Sequence, residues 1–388
     1  MSLTFDDYLS LVLNQGVYRQ RIKLELLRYS DFSVYREITG DVVKNSGNLT
    51  ITRKNGIRRS CNFSLINSII DDVGRYIPDS NNMLGPRQPI RLWLGLADEN
   101  DEEYFISQGI FFLASPSISS TFSSSITSLE LVDPFGLFSG DLGGELNAVH
   151  QIPLNTNLYI AINSILSLNN YPLPSILDSK YMSEVNPYTI ITEASGKYGD
   201  ILTELSLIVS ANLFFNKDGQ LTLSEDTNDN IKGSVFDFTT DNAHYQGGTS
   251  KYNYAEFFNS ILVVGTNTNS GVIYSGESTD DNLMSPSSVN NIGFKRQKRI
   301  ENSNLNSNQK CLDLSSYELK KVISKQSEIS ISSLQLFHLD VDSVITLTDD
   351  NLGFNKERFL INSINIPLGS SSPMSLSCVR AIDLPYND

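Results

Sequence analysis

The feature that most limits the fold of this chain is a period of two. Residues Gly47 to Leu65 read GNLTITRKNGIRRSCNFSL, with Leu49 and Ile51 between threonines and Cys61, Phe63 and Leu65 between polar residues. Successive side chains of a strand point to opposite faces, so such alternation marks a strand with one buried face. Asn55-Gly56 lies between the two arms, and Asn-Gly flanked by alternating segments is a strong hairpin signal. The same period recurs in Val17–Leu27, with Ile22, Leu24 and Leu26 on one face. Pro89–Ala97 places Ile90, Leu92, Leu94 and Leu96 on one face and the only tryptophan, Trp93, on the other. Glu103–Ser119 and Ser124–Gly140 are further strands, ended by proline or glycine. Short strands separated by regular turn signals point to a barrel or a sandwich.

The texture changes after residue 145. Leu158, Ile160, Ile162 and Ile165 are compatible with a helix, and Ile201, Leu202, Leu205, Ile208 and Val209 fall at helical spacing. Asp200 is the expected N-cap of that second helix, which should end near Asn212. NLFFN and QLTLS then form a hairpin across Lys217-Asp218-Gly219. From about residue 235 strands return: NSILVVGT is an apolar run of the buried kind, Gln309–Ser327 reads as one helix, and alternating segments continue to PMSLSCVRAI. The expected architecture is β-rich α+β: a first β-barrel domain with an N-terminal helix (1–145), a small α/β domain (146–234), and a second β-barrel domain with one helix (235–388), with interleaving allowed.

The chain has 388 residues, 40% hydrophobic and 10% aromatic, enough to bury a core. Only 19% are charged, so much of the polar surface is built from Asn, Ser, Thr and Gln. The formal net charge of −15 argues against broad nucleic-acid binding, which needs phosphate neutralisation by Lys and Arg. It permits two readings, solubility alone or an acidic conduit along which nucleic acid slides without sticking. Cys61, Cys311 and Cys378 are far apart and form no CxxC or Cys/His cluster, which favours free thiols in a reducing compartment. The N-terminal stretch lacks a basic region and carries Asp6 and Asp7, so no export signal is expected, and no apolar run is long enough to span a bilayer.

No catalytic constellation emerges. His150, His244 and His338 lie in no zinc-binding pattern, and His338 reads as a strand-surface or packed residue. Asp340 and Asp342, two apart, would lie on one side of a strand, but a calcium cage needs more oxygen ligands, and a solvated loop pair is the simpler reading. No phosphate-binding glycine loop or nucleophile elbow is present. No metal or cofactor is expected. What stands out is positive charge on the first hairpin of an acidic protein: Arg53, Lys54, Arg58 and Arg59. Arg58 and Arg59 point to opposite faces, and Arg59 is in register with Cys61 and Phe63. An arginine on the apolar side calls for a partner carboxylate or a protein interface; equally, its stem can lie over the core with the charge exposed at the tip. These four residues are the candidate assembly interface. A second basic cluster, Lys295, Arg296, Lys298 and Arg299, follows a loop.

The order of these segments resembles a known family, the central hub proteins of phage baseplates, related to the hubs of other contractile injection machines (the N-terminal part of VgrG) and to the N-terminal part of tail-associated proteins. REITGDVVKNSGNLTITRKNGIRRSCNFSL resembles the family's early turn and basic-tipped hairpin. IRLWLGLADENDEEYFISQGIFFLASPSIS resembles the next strand pair, SLELVDPFGLFSG the strand that closes the first barrel, and GDILTELSLIVSANLFFNKDGQLTL the middle domain. NSILVVGT, SPSSVNNIG, the helix near Leu314–Ile323 and the closing strands resemble the second barrel. No single motif is diagnostic; their order over nearly the whole chain carries the resemblance. It implies a non-enzymatic homotrimer whose two tube-like barrels per copy make a pseudo-hexameric ring. The ring would join a hexameric tail tube or distal tail ring protein above to a trimeric spike or tip below. The tape measure protein would be a further partner, and DNA would pass through the lumen without specific binding or membrane insertion. The setting would be the virion tail baseplate or tip, assembled in the host cytoplasm. The basic tip would then dock on an acidic neighbour. The given sequence stops at VRAIDLPYND, so any cell-wall-cleaving activity of the kind some members carry is expected on another polypeptide. Two other functions fit the residues: a receptor- or carbohydrate-binding tail-tip protein, which needs an exposed aromatic platform, and a cell-wall hydrolase with unrecognised carboxylates.

Overall fold

The computed structural model describes residues 5–14, 19–67, 76–78, 84–97, 102–224, 232–252, 257–266, 271–283, 285–302, 305–324, 327–369 and 372–381. After helix α1 (Phe5–Asn14) come β1 (Arg19–Leu27), β2 (Val34–Thr39), the hairpin β3 (Gly47–Thr52) and β4 (Arg59–Asn67), and the meander β5 (Pro89–Ala97), β6 (Glu103–Ser120) and β7 (Ser125–Val132). The middle holds β8 (His150–Ile152), α2 (Leu158–Leu168), β9 (Ile176–Leu177), β10 (Ile190–Thr192), α3 (Tyr198–Ile208), β11 (Asn212–Phe215) and β12 (Leu221–Ser224). Next are β13 (Ser234–Thr239), β14 (Tyr245–Tyr252), β15 (Ser260–Thr266), β16 (Ile273–Thr279), α4 (Val289–Ile292), β17 (Gln297–Asn302) and α5 (Asn308–Ser324). The chain ends in β18 (Ser327–Ser333) and a second meander, β19 (Val344–Asp349), β20 (Phe354–Leu368) and β21 (Met374–Arg380).

Strands from the two ends of the sequence make one 13-stranded sheet, and a strand order occurs in it twice. In the first module neighbours run β3-β4-β7-β6-β5-β1; in the second they run β14-β18-β21-β20-β19-β13. The repeat extends to detail. Each meander opens after a residue with positive φ, Arg87 at 60° and Asp342 at 65°. At the same relative place Leu113 N–H donates to Gln88 O (3.0 Å) and Ile361 N–H to Ser343 O (2.9 Å). The β6–β7 ladder shifts register between Leu113 and Ser115, and the β20–β21 ladder between Ile361 and Ser363. The modules differ where β1 runs antiparallel to β5 but β13 runs parallel to β19.

The modules join edge to edge. β19 pairs with β20 only as far as Leu360, and beyond it the same edge of β20 takes up β3, with Ser363 opposite Thr52 and Leu368 opposite Gly47. Leu49, Ile51, Ile364, Ile366 and Leu368 are buried at this seam. Each buried aliphatic side chain contributes about 1.5–3 kcal/mol, so the seam is a major source of cohesion. A single hydrophobic core accordingly contains Leu24, Phe63 and Leu92 from one module and Phe238, Ile331 and Leu376 from the other. The β-rich α+β class expected from the alternation is what forms. The ladders, however, leave the sheet open rather than closing two separate barrels. The first module comes nearest to closing at the short Val42–Leu65 bridge, flanked by Val43 N–H to Ser64 O and Ile66 N–H to Asp41 O, both 2.8 Å.

In the middle unit α2 begins where the Asn157 side chain accepts Ile160 N–H, an N-cap. α3 begins after Lys197, so Asp200 lies in the first turn rather than at the cap, where its charge still opposes the helix dipole. That helix ends at Ile208, short of Asn212, because Ser210 takes φ 51°. The expected hairpin β11–β12 forms, with Gly219 at φ 79° in its turn. The helix read over Gln309–Ser327 is α5, but it and NSILVVGT do not belong to the second module's sheet. β15, β16 and β17 form a separate three-stranded sheet on which α5 packs, with a core of Ile261, Val263, Cys311, Leu314 and Ile323. A short apolar run carries no face preference and cannot say which sheet it joins.

Candidate functional site

The basic hairpin is where the structure departs most from the sequence reading. The loop between β3 and β4 does not project. Gly56, at φ 83°, donates its N–H to Leu213 O, and the Asn55 side chain accepts Leu213 N–H, both at 3.1 Å, so the tip is stitched to β11. Arg58 and Arg59 are each only 3% exposed. Of the four candidate residues only Lys54 is exposed; Arg53 is half-buried.

The charges of Arg53, Arg58 and Arg59 meet carboxylates within the chain, although Arg59 Nε is buried without a hydrogen-bond partner. Arg58 Nη1 lies 2.6 Å from Asp342 Oδ2, and Arg53 Nε bonds the other oxygen of that carboxylate. Arg59 Nη2 reaches Asp340 Oδ2 at 2.7 Å, and its Nη1 donates to Phe215 O at 3.0 Å. Lys217 Nζ stands 3.5 Å from Asp340. The Arg58 guanidinium sits 3.4 Å from the Phe214 ring centroid, a cation–π contact, and its Nε donates to Lys54 O at 3.1 Å. Asp340 and Asp342 are thus the carboxylates that answer the arginines. They lie in the turns before β19, not along a strand, and among the described residues no group of His, Cys, Asp and Glu is arranged to hold a metal. Burial raises the Asp342 carboxyl, but the charges of Arg58 and Arg53 outweigh it and hold the group below its ordinary value. Burial lowers the Arg58 guanidinium against the pull of Asp342.

Asp133 is the residue the sequence reading missed. Buried beneath the hairpin, it accepts Arg58 N–H (2.5 Å) and Arg59 N–H (3.0 Å) on Oδ2 and Phe135 N–H (3.0 Å) on Oδ1. Burial nevertheless pushes it up to about 6 against these three donors. Its signal was present: Asp before Pro134 is a helix-start pattern, and Asp133 caps the 3₁₀ turn Pro134–Leu137. The whole is a clamp. One hairpin of the first module grips the β11–β12 unit and the turn that opens the second module's meander.

The remaining candidates are packed or paired within the chain. His338 is packed in a turn, its Nδ1 3.3 Å from Tyr8 Oη on α1, whose oxygen also accepts Phe337 N–H at 3.0 Å. Burial lowers its pKa to about 4, with Lys217 and His244 adding to the effect. The three cysteines are free and buried. In the second basic cluster, Lys295 pairs with Glu277, Arg299 with Glu301 at 2.9 Å, and Arg296 lies over Phe257 and Phe258.

No protein-family model matches the chain, and no curated protein matches it in sequence. Solved structures do match. A 43 kDa tail protein of prophage MuSo2 from Shewanella oneidensis superposes with a TM-score of 0.63 at 12% identity, over 93% of this chain and 98% of that one. A tail protein from Neisseria meningitidis MC58 gives 0.63 at 11% identity, over 94% and 97%. A chain of the Francisella PdpA-VgrG complex gives 0.56 at 13% identity, over 99% of this chain and 56% of that one. The likeness to tail hubs read from the order of segments is therefore a likeness of the whole architecture, and the chain has the fold of prophage tail proteins.

Proposed function

We propose that the chain is a structural subunit of a phage-type tail, a hub whose three copies form a pseudo-hexameric ring between a hexameric tail tube and a trimeric spike or tip. The observation that carries this reading is the strand order used twice in one polypeptide, with the two modules joined edge to edge through β3 and β20. Three chains then supply six like modules, which lets a threefold object face a sixfold one. The fold shared with prophage tail proteins supports the same reading. The role is geometric and non-enzymatic. With a net charge of −15, a lumen of this ring repels DNA phosphates and lets the strand pass. Neighbours along the axis are the tail-tube or distal tail ring protein, the spike or tip, and the tape measure protein, in the baseplate or tip of a virion assembled in the host cytoplasm. The proposed domain division at about residues 145 and 234 follows the module–middle unit–module order.

Within this reading Arg53, Arg58 and Arg59 serve assembly indirectly. They fix the angle between modules from inside the chain, while Lys54 is left to meet an acidic neighbour. The test is the solution mass of the purified protein, alone and mixed with tail-tube subunits. A trimer that binds the tube ring is expected; a monomer under all conditions refutes the proposal.

A further inference from the structure

We propose that the outer edge of β17 receives an extended peptide segment of a partner protein, one that carries an acidic and an apolar side chain two residues apart. The three-stranded layer has the order β16-β15-β17, so β17 is its last strand, and among the described residues no strand pairs with its outer side. This layer is separate from the sheet that joins the modules, and the inference does not depend on the ring.

The edge opens into a groove of about 470 Å³, within the size range of ligand sites. Its walls are Lys298, Ile300 and Glu301 of β17, Leu314 and Glu318 of α5, and Leu207 of α3. No β15 residue lines it, so the groove lies beyond the outer edge of β17. Tyr317 Oη on α5 donates to Asn212 Oδ1 at the start of β11 (3.0 Å), which ties the α5 wall to the unit that carries α3.

The backbone sets what this edge offers. Asp280 N–H donates to Asn259 O (2.8 Å), so the odd-numbered residues of β15 continue that ladder to β16 and the even-numbered ones face β17. The parallel register then directs the backbone of Lys298 and Ile300 toward β15. The N–H and C=O groups of Gln297, Arg299 and Glu301 are left pointing outward. An added strand bonds to such groups, the mode by which peptides extend a sheet.

The side chains set the sequence preference. Lys298 lies beside Ile261 and Ile300 beside Val263, on the face that α5 covers. Alternate residues of an added strand fall on this same face. An apolar one beside Ile300 meets Leu314 and Leu207. An acidic one beside Lys298 meets an exposed ammonium with no ion-pair partner among the described residues. Lys295, Arg296 and Arg299 surround it in sequence, so this edge is basic on a chain of net charge −15. Lysine on an open edge also guards against unwanted pairing. A guard opposes every strand alike, whereas a recognition charge discriminates between them, and the test uses that difference.

The probe is a fluorescein-labelled peptide, acetyl-Thr-Ile-Thr-Glu-Thr-Ile-Thr-amide, whose palindromic order suits parallel and antiparallel addition alike. Fluorescence anisotropy with the full chain should show saturable binding. Lys298→Glu should weaken it at least about tenfold and bind instead the version with Lys in place of Glu. A probe N-methylated at every second amide, made in both phases, should lose binding in one phase only, because one set of amides bonds β17 and the other faces away. No binding at about 1 mM probe overturns the proposal. Binding unchanged by Lys298→Glu, or strengthened by Lys298→Ala, overturns it as well, since Lys298 is then no recognition charge. Loss in neither N-methylated phase overturns strand addition. Dissociation of a self-associated chain by the probe makes the occupant a second copy and overturns the partner assignment.

Discussion

Replacing Asp342 by Asn removes one charge from the clamp and leaves two arginines facing a neutral amide. The choice matters: Asp342 has φ 65°, which Asn tolerates and Ala does not, so Asn isolates the electrostatic effect from backbone strain. Arg58 is 3% exposed and cannot turn to water, and its 2.6 Å partner is gone. Stranding one member of a buried ion pair typically costs about 3–5 kcal/mol. Arg53, half-buried at the other oxygen, adds less. The reverse change, Arg58→Met, keeps the volume over Phe214 and leaves Asp342 with Arg53, so it should cost about half as much. If Arg58 is unstable because it is unpaired, the double variant must be more stable than the sum of the two single losses by about 2 kcal/mol. Urea unfolding reads this as midpoint shifts at constant slope. Additive losses, or an Asp342→Asn loss below about 1 kcal/mol, would show that the clamp is a solvent-screened surface pair and would remove the reasoning.

Other outcomes follow from the same structure. Gly276→Ala on β16 should destabilise the β15–β17 layer by at least about 1–3 kcal/mol, because an added Cβ would sit 2.2 Å from Leu312 N on α5; thermal unfolding of the purified variant checks it. His338, at about 4 when folded against an ordinary 6.5, is neutral where the unfolded chain is protonated, so its contribution is complete above pH 6.5 and is lost as pH falls toward 4. Asp133, raised to about 6, acts in the opposite sense, its contribution fading as pH rises from 3.8 through 6. The wild-type curve mixes both, and the difference between wild-type and His338→Gln stability should isolate an acid-side loss on the order of 3 kcal/mol. Burial pushes the Cys61 and Cys378 thiols far up, so a thiol reagent should label them only at the rate of unfolding; rapid labelling of the native protein would contradict their burial.

The sequence by itself determined the longer alternating strands and the helices α2, α3 and α5, though not the short strands β8, β9 and β10 or the 3₁₀ turn Pro134–Leu137 that cuts short the strand expected over Ser124–Gly140. Alternation fixed the buried faces of β1, β3, β4 and β5, because a one-residue slip would turn Leu24 or Phe63 to solvent. The Asp218-Gly219 turn and the helical spacing around Leu205 were equally local and equally legible. What only the tertiary structure decided was who pairs with whom at long range. Nothing in Gly47–Thr52 names Ser363–Leu368 as its partner, since backbone ladders are nearly blind to side-chain identity and one apolar face fits another. The same limit hid the repeat, which lives in strand order and not in matching residues. It also misplaced the charge of the hairpin. Four basic residues beside an Asn-Gly turn look exposed until Asp340, Asp342 and Phe214, more than 150 positions away along the chain, are brought against them by the fold.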